Sequence, residues 1–66
     1  MIIRLNGETK EVSEGTTVER LLDLFEIKRA GIAVDLNREI VPKRLHSETV
    51  LKDGDSVEVV RMVGGG

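Results

Sequence analysis

One amphipathic stretch dominates the sequence, residues 16–25, which read TTVERLLDLF. Its apolar residues recur at the i, i+3, i+4 and i+7 spacing of one helix face, and they are Val18, Leu21, Leu22 and Phe25. Burying four such side chains contributes roughly 6–12 kcal/mol, which is comparable to the net stability of a small domain. We therefore expect this helix to be the main packing element.

The ends of the helix are marked less clearly than its face. Thr16 with Glu19 fits a capping box, whereas Thr17 would cap through its hydroxyl alone, and both remain open. Gly31 is placed to end the helical region. Leu24 lies off the apolar stripe, and we expect it to pack in the core rather than contact a partner.

Before the helix, the sequence predicts a hairpin. Met1, Ile3 and Leu5 alternate with Ile2, Arg4 and Asn6, which is the period of a half-buried strand. Asn6-Gly7 is also a strong turn signal. A short return strand over 10–13 would end at Glu14-Gly15 and point Val12 at the core.

After the helix, three further strands are predicted. Residues 32–36 read as a strand with Ile32, Val34 and Leu36 on one side, and Asn37-Arg38 turns the chain into a short strand over 39–41. Pro42 has no N–H for a ladder and closes that strand. A loop then follows over 43–47, and the last strand covers 57–63 after a turn at residues 52–55.

This order of elements indicates an α+β fold, the β-grasp (ubiquitin-like) arrangement. It has one mixed sheet of four to five strands with one main helix packed on one face. The first and last strands lie side by side and run parallel, because the helix supplies the crossover that parallel pairing requires. We expect a monomer with a β-grasp domain over 1–63 and a flexible glycine tail over 64–66.

Composition excludes several classes of function. The 66 residues carry ten basic and twelve acidic side chains with interspersed signs, so no basic field exists to attract nucleic acid, and a single aromatic argues against base stacking. No apolar run reaches the ~20 residues that span a bilayer, which predicts a cytoplasmic protein without a membrane partner. Cysteine is absent, so thiol chemistry on a side chain is excluded.

The candidate reactive end is the tail Gly64-Gly65-Gly66, which follows a strand-like apolar run. Glycine has no Cβ, so such a tail can enter a narrow channel without side-chain clashes. The alternative is a frayed terminus, and the tail alone leaves the two equally supported.

Other candidate site residues lie on the last strand and in the loop before it. If Val57 and Val59 face the core, Val60 and Met62 face the opposite side and could form a partner-docking patch. The alternative is that an antiparallel neighbour or a surface loop covers them. Arg61 either pairs with an acidic groove on a partner or is simply solvated. His46 has no triad partner in sequence and is expected to be a loop residue. The acidic residues lack metal-loop spacing, so no metal site is predicted.

Four stretches together resemble the ThiS family of bacterial sulfur carriers of thiamin biosynthesis. They are residues 15–18, GTTV; 37–42, NREIVP; 53–59, DGDSVEV; and 63–66, VGGG. The resemblance covers essentially the whole chain. Two positions depart from it: Arg38 stands where members often have glycine or a small polar residue, and His46 stands where some have an aromatic.

The resemblance implies a carrier with no catalytic residues of its own. The carboxylate of Gly66 would be adenylated with ATP by a ThiF-like adenylating enzyme and converted to a thiocarboxylate with sulfur from a sulfur donor protein. It would then donate sulfur to a ThiG-like thiazole synthase. From the residues themselves, we expect Gly64 and Gly65 to thread the channel of the enzyme and residues 60–63 (Val60, Arg61, Met62, Val63) to dock the partner. No cofactor is expected to stay bound. A molybdopterin-synthase small-subunit-like carrier, a ubiquitin-like protein modifier and a plain interaction domain remain open as alternatives.

Overall fold

The computed structural model describes residues 1–62. These residues form five strands and one α-helix, with a short 3₁₀ helix at Lys43–Leu45. The elements are β1 Ile2–Leu5, β2 Glu8–Glu11, α1 Val18–Leu24, β3 Ile32–Leu36, β4 Glu39–Val41 and β5 Ser56–Arg61.

The strands form one mixed sheet in the order β2-β1-β5-β3-β4. β1 and β5 are parallel and lie at the centre, and the other neighbours are antiparallel. This is the predicted β-grasp topology with the predicted parallel pair. The crossover between β1 and β5 contains α1, as parallel neighbours require.

The core lies between α1 and one face of the sheet. Its buried apolar side chains are Ile3, Leu5, Val12, Val18, Leu21, Leu22, Val34, Leu51 and Val57. Phe25, Ile32, Leu36 and Val59 are partly buried and pack against this cluster. The predicted apolar faces of the helix, of β1 and of β3 are therefore confirmed.

The helix begins with one of the two predicted caps. Thr17 is the N-cap, and its hydroxyl accepts a hydrogen bond of 3.1 Å from the backbone N–H of Arg20. Thr16 is buried instead, and its hydroxyl donates to the carbonyl of Ser13 at 2.7 Å. The predicted cap by the hydroxyl of Thr17 is therefore confirmed, and the capping box of Thr16 with Glu19 is not formed.

The predicted end of the helix at Gly31 is wrong, since α1 ends at Leu24. Glu26 has a φ of 55°, its N–H donates to the carbonyl of Asp23, and the N–H of Ile27 donates to the carbonyl of Leu22. This is the Schellman pattern, which stops a helix with a left-handed residue. Leu24 is 45% exposed, so its predicted place in the core is also wrong. It projects from the solvent side of the short helix.

Arg29 fastens the segment after α1 back onto the helix. Its guanidinium lies 2.6 Å from Oδ1 of Asp23 and 3.1 Å from Oε2 of Glu19. The hydrogen bond to Asp23 raises the pKa of Arg29 above its ordinary value.

The bounds of two strands, β2 and β5, and the structure of one loop differ from the prediction. β2 covers 8–11 rather than 10–13, because the two-residue turn at Asn6-Gly7 pairs Leu5 directly with Glu8. Val12 follows the strand and is buried as predicted. The predicted loop 43–47 contains the 3₁₀ helix. β5 runs from Ser56 to Arg61, whereas the prediction placed it over 57–63, and Val63 lies outside the described residues.

Candidate functional site

The predicted site comprises the last strand and the tail that follows it. Val63, Gly64, Gly65 and Gly66 lie outside the described residues, so the predictions for the reactive tail remain predictions. The structure does describe β5 up to Arg61 and then Met62. It therefore shows the base from which the tail starts.

β1 pairs with one side of β5, and the side chain of Asn6 continues the hydrogen bonding beyond the end of β1. The N–H of Asn6 donates to the carbonyl of Val57 at 2.9 Å. One step further along β5, the N–H of Val59 donates to Oδ1 of Asn6 at 2.8 Å. Asn6 thus replaces a strand neighbour at the point where β1 has ended.

β3 holds the other side of β5 over its whole length. The register runs from Leu36 opposite Val57 to Ile32 opposite Arg61. Beyond the strand, the N–H of Met62 donates to the carbonyl of Gly31 at 2.7 Å. Gly31 has a φ of 69°, a conformation that glycine adopts at little cost. The residue predicted to end the helix therefore lies beside the last described residue before the tail.

The side chains of β5 alternate between two environments. Val57 is fully buried and Val59 packs against the core. Val60 is 57% exposed and Met62 is 65% exposed. The predicted face assignment is confirmed, and none of the described residues covers this pair enough to bury it. Arg61 is exposed and forms no ion pair with any residue of 1–62.

A polar network joins the β3–β4 turn to the start of β5. The amide group of Asn37 donates through Nδ2 to Oδ1 of Asp55 at 3.0 Å and accepts through Oδ1 from the N–H of Ser56 at 2.9 Å. The other carboxylate oxygen of Asp55 accepts from the N–H of Lys52 at 2.7 Å. The sequence marked both turns, but it gave no signal that they are bonded to each other.

His46 lies in the turn after the 3₁₀ helix, in the predicted loop, but only 5% of it is exposed. Its Nε2 lies 3.1 Å from the carbonyl oxygen of Val41, and its backbone carbonyl accepts from the N–H of Glu19 at the start of α1. The carbonyl of Thr49 accepts from the N–H of Val18. His46 therefore has a structural position that joins this loop to the helix.

The described residues offer no metal centre of their own. No group of three or more His, Cys, Asp or Glu side chains in 1–62 is arranged to hold a metal ion. Within the same range, no helix has the length and apolar character needed to cross a membrane.

The family model that matches this chain is that of the ThiS family, over residues 3–66. The sulfur carrier protein ThiS of Escherichia coli is 30% identical over 66 residues, which is the full length of both chains. A thiazole synthase of Paramagnetospirillum magneticum is 39% identical over the whole chain, but the chain spans only 20% of that enzyme's length.

A solved structure extends the likeness to three dimensions. The crystal structure of the thiamine biosynthesis protein ThiS from Geobacter metallireducens superposes with a TM-score of 0.89 at 33% identity, and each chain is covered completely. The family match over residues 3–66 and the full-length alignments establish the assignment. This chain belongs to the ThiS family.

Proposed function

We propose that this chain is a sulfur carrier of thiamin biosynthesis and that it holds sulfur as a thiocarboxylate on Gly66. The observation that carries the proposal is the extent of the family match, which runs through all three glycines of the tail. Relatives of matching length are named sulfur carrier protein ThiS, and a longer one is named thiazole synthase. The proposal requires Gly66 to bear a free carboxylate in the working protein.

The chemistry needs an activation step. A terminal carboxylate is ionised at neutral pH and is a poor electrophile. A ThiF-like adenylating enzyme would join the Gly66 carboxylate to the α-phosphate of ATP and release pyrophosphate. A donor protein would supply sulfur as sulfide, HS⁻, which attacks the carbonyl carbon. The C–S bond forms as the C–O bond to AMP breaks, so AMP leaves and the thiocarboxylate remains on Gly66.

None of these steps uses a side chain of the carrier. The sulfur sits on the backbone terminus, and the absence of cysteine means that no thiol of this chain can capture the activated glycine. The carrier therefore acts as a co-substrate in the cytoplasm. Catalytic groups and ATP binding belong to the adenylating enzyme, and a ThiG-like thiazole synthase accepts the sulfur.

The described residues would contribute a fixed starting point for the tail. Asn6 accepts a hydrogen bond from the N–H of Val59 on one side of β5, and Gly31 accepts one from the N–H of Met62 on the other. Positioning of this kind matters because a misplacement of about 1 Å can already lower a rate about a hundredfold. The exposed pair Val60 and Met62 lies next to the tail and would contact the enzyme, together with Arg61 and Val63.

Intact mass spectrometry tests the proposal. The chain is incubated with ATP, a purified ThiF-like adenylating enzyme and sulfide. We expect a mass increase equal to the difference between sulfur and oxygen, and we expect the added sulfur to be lost again when a ThiG-like thiazole synthase and its other substrates are supplied.

Two variants make the test specific for Gly66. Deleting Gly66 draws the carboxylate back by about 3.5 Å, and adding one alanine after Gly66 places its carbonyl in a peptide bond. Both variants should keep the wild-type melting temperature and acquire no sulfur. Sulfur uptake by the extended variant at the wild-type rate would show that Gly66 is not the carrier site, and lysine conjugates in place of a thiocarboxylate would indicate a protein modifier.

A further inference from the structure

The sheet has an outer face on the side away from α1. Strand alternation places Ala33, Asp35, Ile40, Glu58, Val60 and Met62 on this face, because Val34 and Val57 between them are buried under the helix. Ile40, Val60 and Met62 are all more than half exposed. Among residues 1–62, the single α-helix packs on the other side, so the outer face has no second layer.

Two carboxylates face each other in the middle of the outer face. The antiparallel register of β3 and β5 pairs Asp35 directly with Glu58. Like charges at directly opposite positions destabilise a sheet. The ion pairs of the described residues join Lys10 to Glu8 and Arg29 to Glu19 and Asp23, so none of them neutralises this pair. Two cations lie on the same face: Arg38 lines the same open hollow, and Arg4 pairs with Ser56, two residues before Glu58 on β5. Neither forms an ion pair with Asp35 or Glu58.

An apolar area lies next to the acidic pair, on the side towards the C-terminal end of β5. The next outward-facing pair along the two strands is Ala33 with Val60, and Met62 follows on the same side. Ile40 lies across the strand from Asp35 on the other flank. The outer face therefore combines two acidic side chains, which form no ion pair within residues 1–62, with exposed apolar side chains. This combination suits a protein surface. A metal ion would need further ligands, and no third His, Cys, Asp or Glu joins the pair in the described part of the chain.

We propose that the outer face docks a partner protein that inserts an Arg or Lys between Asp35 and Glu58 while apolar side chains cover Val60 and Met62. This inference rests on the proposed function, since the partner is the enzyme that handles the tail. Arginine is the better fit, because its planar guanidinium can bond both carboxylates at once. The acidic pair then makes the free carrier less stable and the complex more specific.

Binding and stability measured together test this inference. The double variant D35N/E58Q keeps the shapes of both side chains and removes both charges. Its affinity for the purified ThiF-like adenylating enzyme, measured by calorimetry, should fall about tenfold. Its melting temperature should rise by about 1–4 °C, because the like-charge repulsion is relieved. A purely structural role would lower stability instead.

A matched control removes two negative charges elsewhere in the chain, one before α1 and one after it. Glu14 and Glu26 are exposed, lie outside the sheet and form no ion pair among the described residues. E14Q/E26Q should therefore keep the wild-type affinity within about twofold, because remote exposed charges are largely screened.

Three outcomes decide the inference. An affinity of D35N/E58Q within twofold of wild type would overturn it, even if the wild-type chain acquires sulfur. Saturable Mg²⁺ binding to the wild type that the double variant abolishes would overturn it in favour of a cation site. Weakened enzyme binding by the double variant alone, without sulfur uptake by any chain, would support the docking face and contradict the proposed carrier function.

Discussion

Two valines of β5 show how differently the two faces of the sheet are used. Val57 is fully buried beneath α1, whereas Val60, three residues later on the outer face, is 57% exposed. Both belong to one strand and both are β-branched, so intrinsic strand preference does not separate them. What separates them is the layer that covers each face. The helix α1 covers Val57, whereas no α-helix of residues 1–62 covers the outer face.

The largest expected effect contrasts these two residues directly. Val57→Ala removes two buried methyl groups and leaves a cavity, and we expect a loss of about 2–3 kcal/mol in the free energy of unfolding. Val60→Ala should lose less than about 0.5 kcal/mol, because its side chain is already largely hydrated. Urea unfolding of both variants measures the difference. Equal losses would mean that the outer face is part of the core.

A second prediction concerns binding to the proposed adenylating enzyme rather than stability. Val60→Asp and Met62→Asp should each weaken binding to the adenylating enzyme about tenfold or more, since a buried charge at an interface is left unpaired. Their melting temperatures should change little, because both side chains are exposed in the free protein. Leu24→Asp is the matched control, because Leu24 is an exposed apolar residue too, at 45%, but lies on the helix. If Leu24→Asp weakened binding as strongly, the docking surface would not be specific to the outer face.

Periodicity in the sequence was enough to predict the core residues on α1, β1 and β3, but it predicted neither the exposure of Leu24 nor the burial of Leu51. The apolar positions of α1, β1 and β3 repeat with the periods of a helix and of strands, and burial follows those periods because each element lies against a single core. The parallel β1–β5 pair was predictable for a related reason. Parallel neighbouring strands need a long crossover connection, and the helix between the first and last strands supplies one.

Other features depended on contacts that no local pattern records. The end of α1 is set by the left-handed conformation of Glu26, and glutamate does not signal that conformation. The bond from Val59 to Asn6 spans 53 positions of sequence. In the candidate site, alternation predicted the exposure of Val60 and Met62, but the pairing of Asp35 with Glu58 depends on a register that only the folded sheet defines.

A third prediction concerns the residue that holds β5 where β1 ends. Asn6→Gly keeps the turn, since residue 6 has a φ of 51°, but removes the acceptor for the N–H of Val59. We expect a loss of about 1 kcal/mol, the usual contribution of one such hydrogen bond. Amide hydrogen exchange at Val59 should also become faster. Asn6→Asp keeps an acceptor oxygen and serves as the control, with slow exchange retained.

The smallest expected effect lies at the edge of the outer face, in the β3–β4 turn. Asn37 and Arg38 both have positive φ angles, 52° and 72°, the same pattern as Asn6 and Gly7 at 51° and 82°. Glycine suits the second position of such a turn, and arginine there carries a strain of about 1 kcal/mol. Arg38→Gly should therefore stabilise the chain by about 0.5 kcal/mol once the greater freedom of glycine in the unfolded state is subtracted.

The same substitution also tests whether Arg38 screens the acidic pair. Arg38→Gly removes the positive charge nearest to the hollow that Asp35 and Glu58 line. Arg38→Gln keeps the strained conformation and removes only the charge. The difference in stability between the two variants therefore measures the backbone strain at residue 38 alone. If Arg38→Gln is as stable as wild type in low salt and Arg38→Gly is more stable, the arginine contributes nothing to the fold through its charge. A marked loss in Arg38→Gln that disappears at high salt would show that Arg38 already neutralises the pair, and the outer face would then present less negative charge to a partner than its register implies.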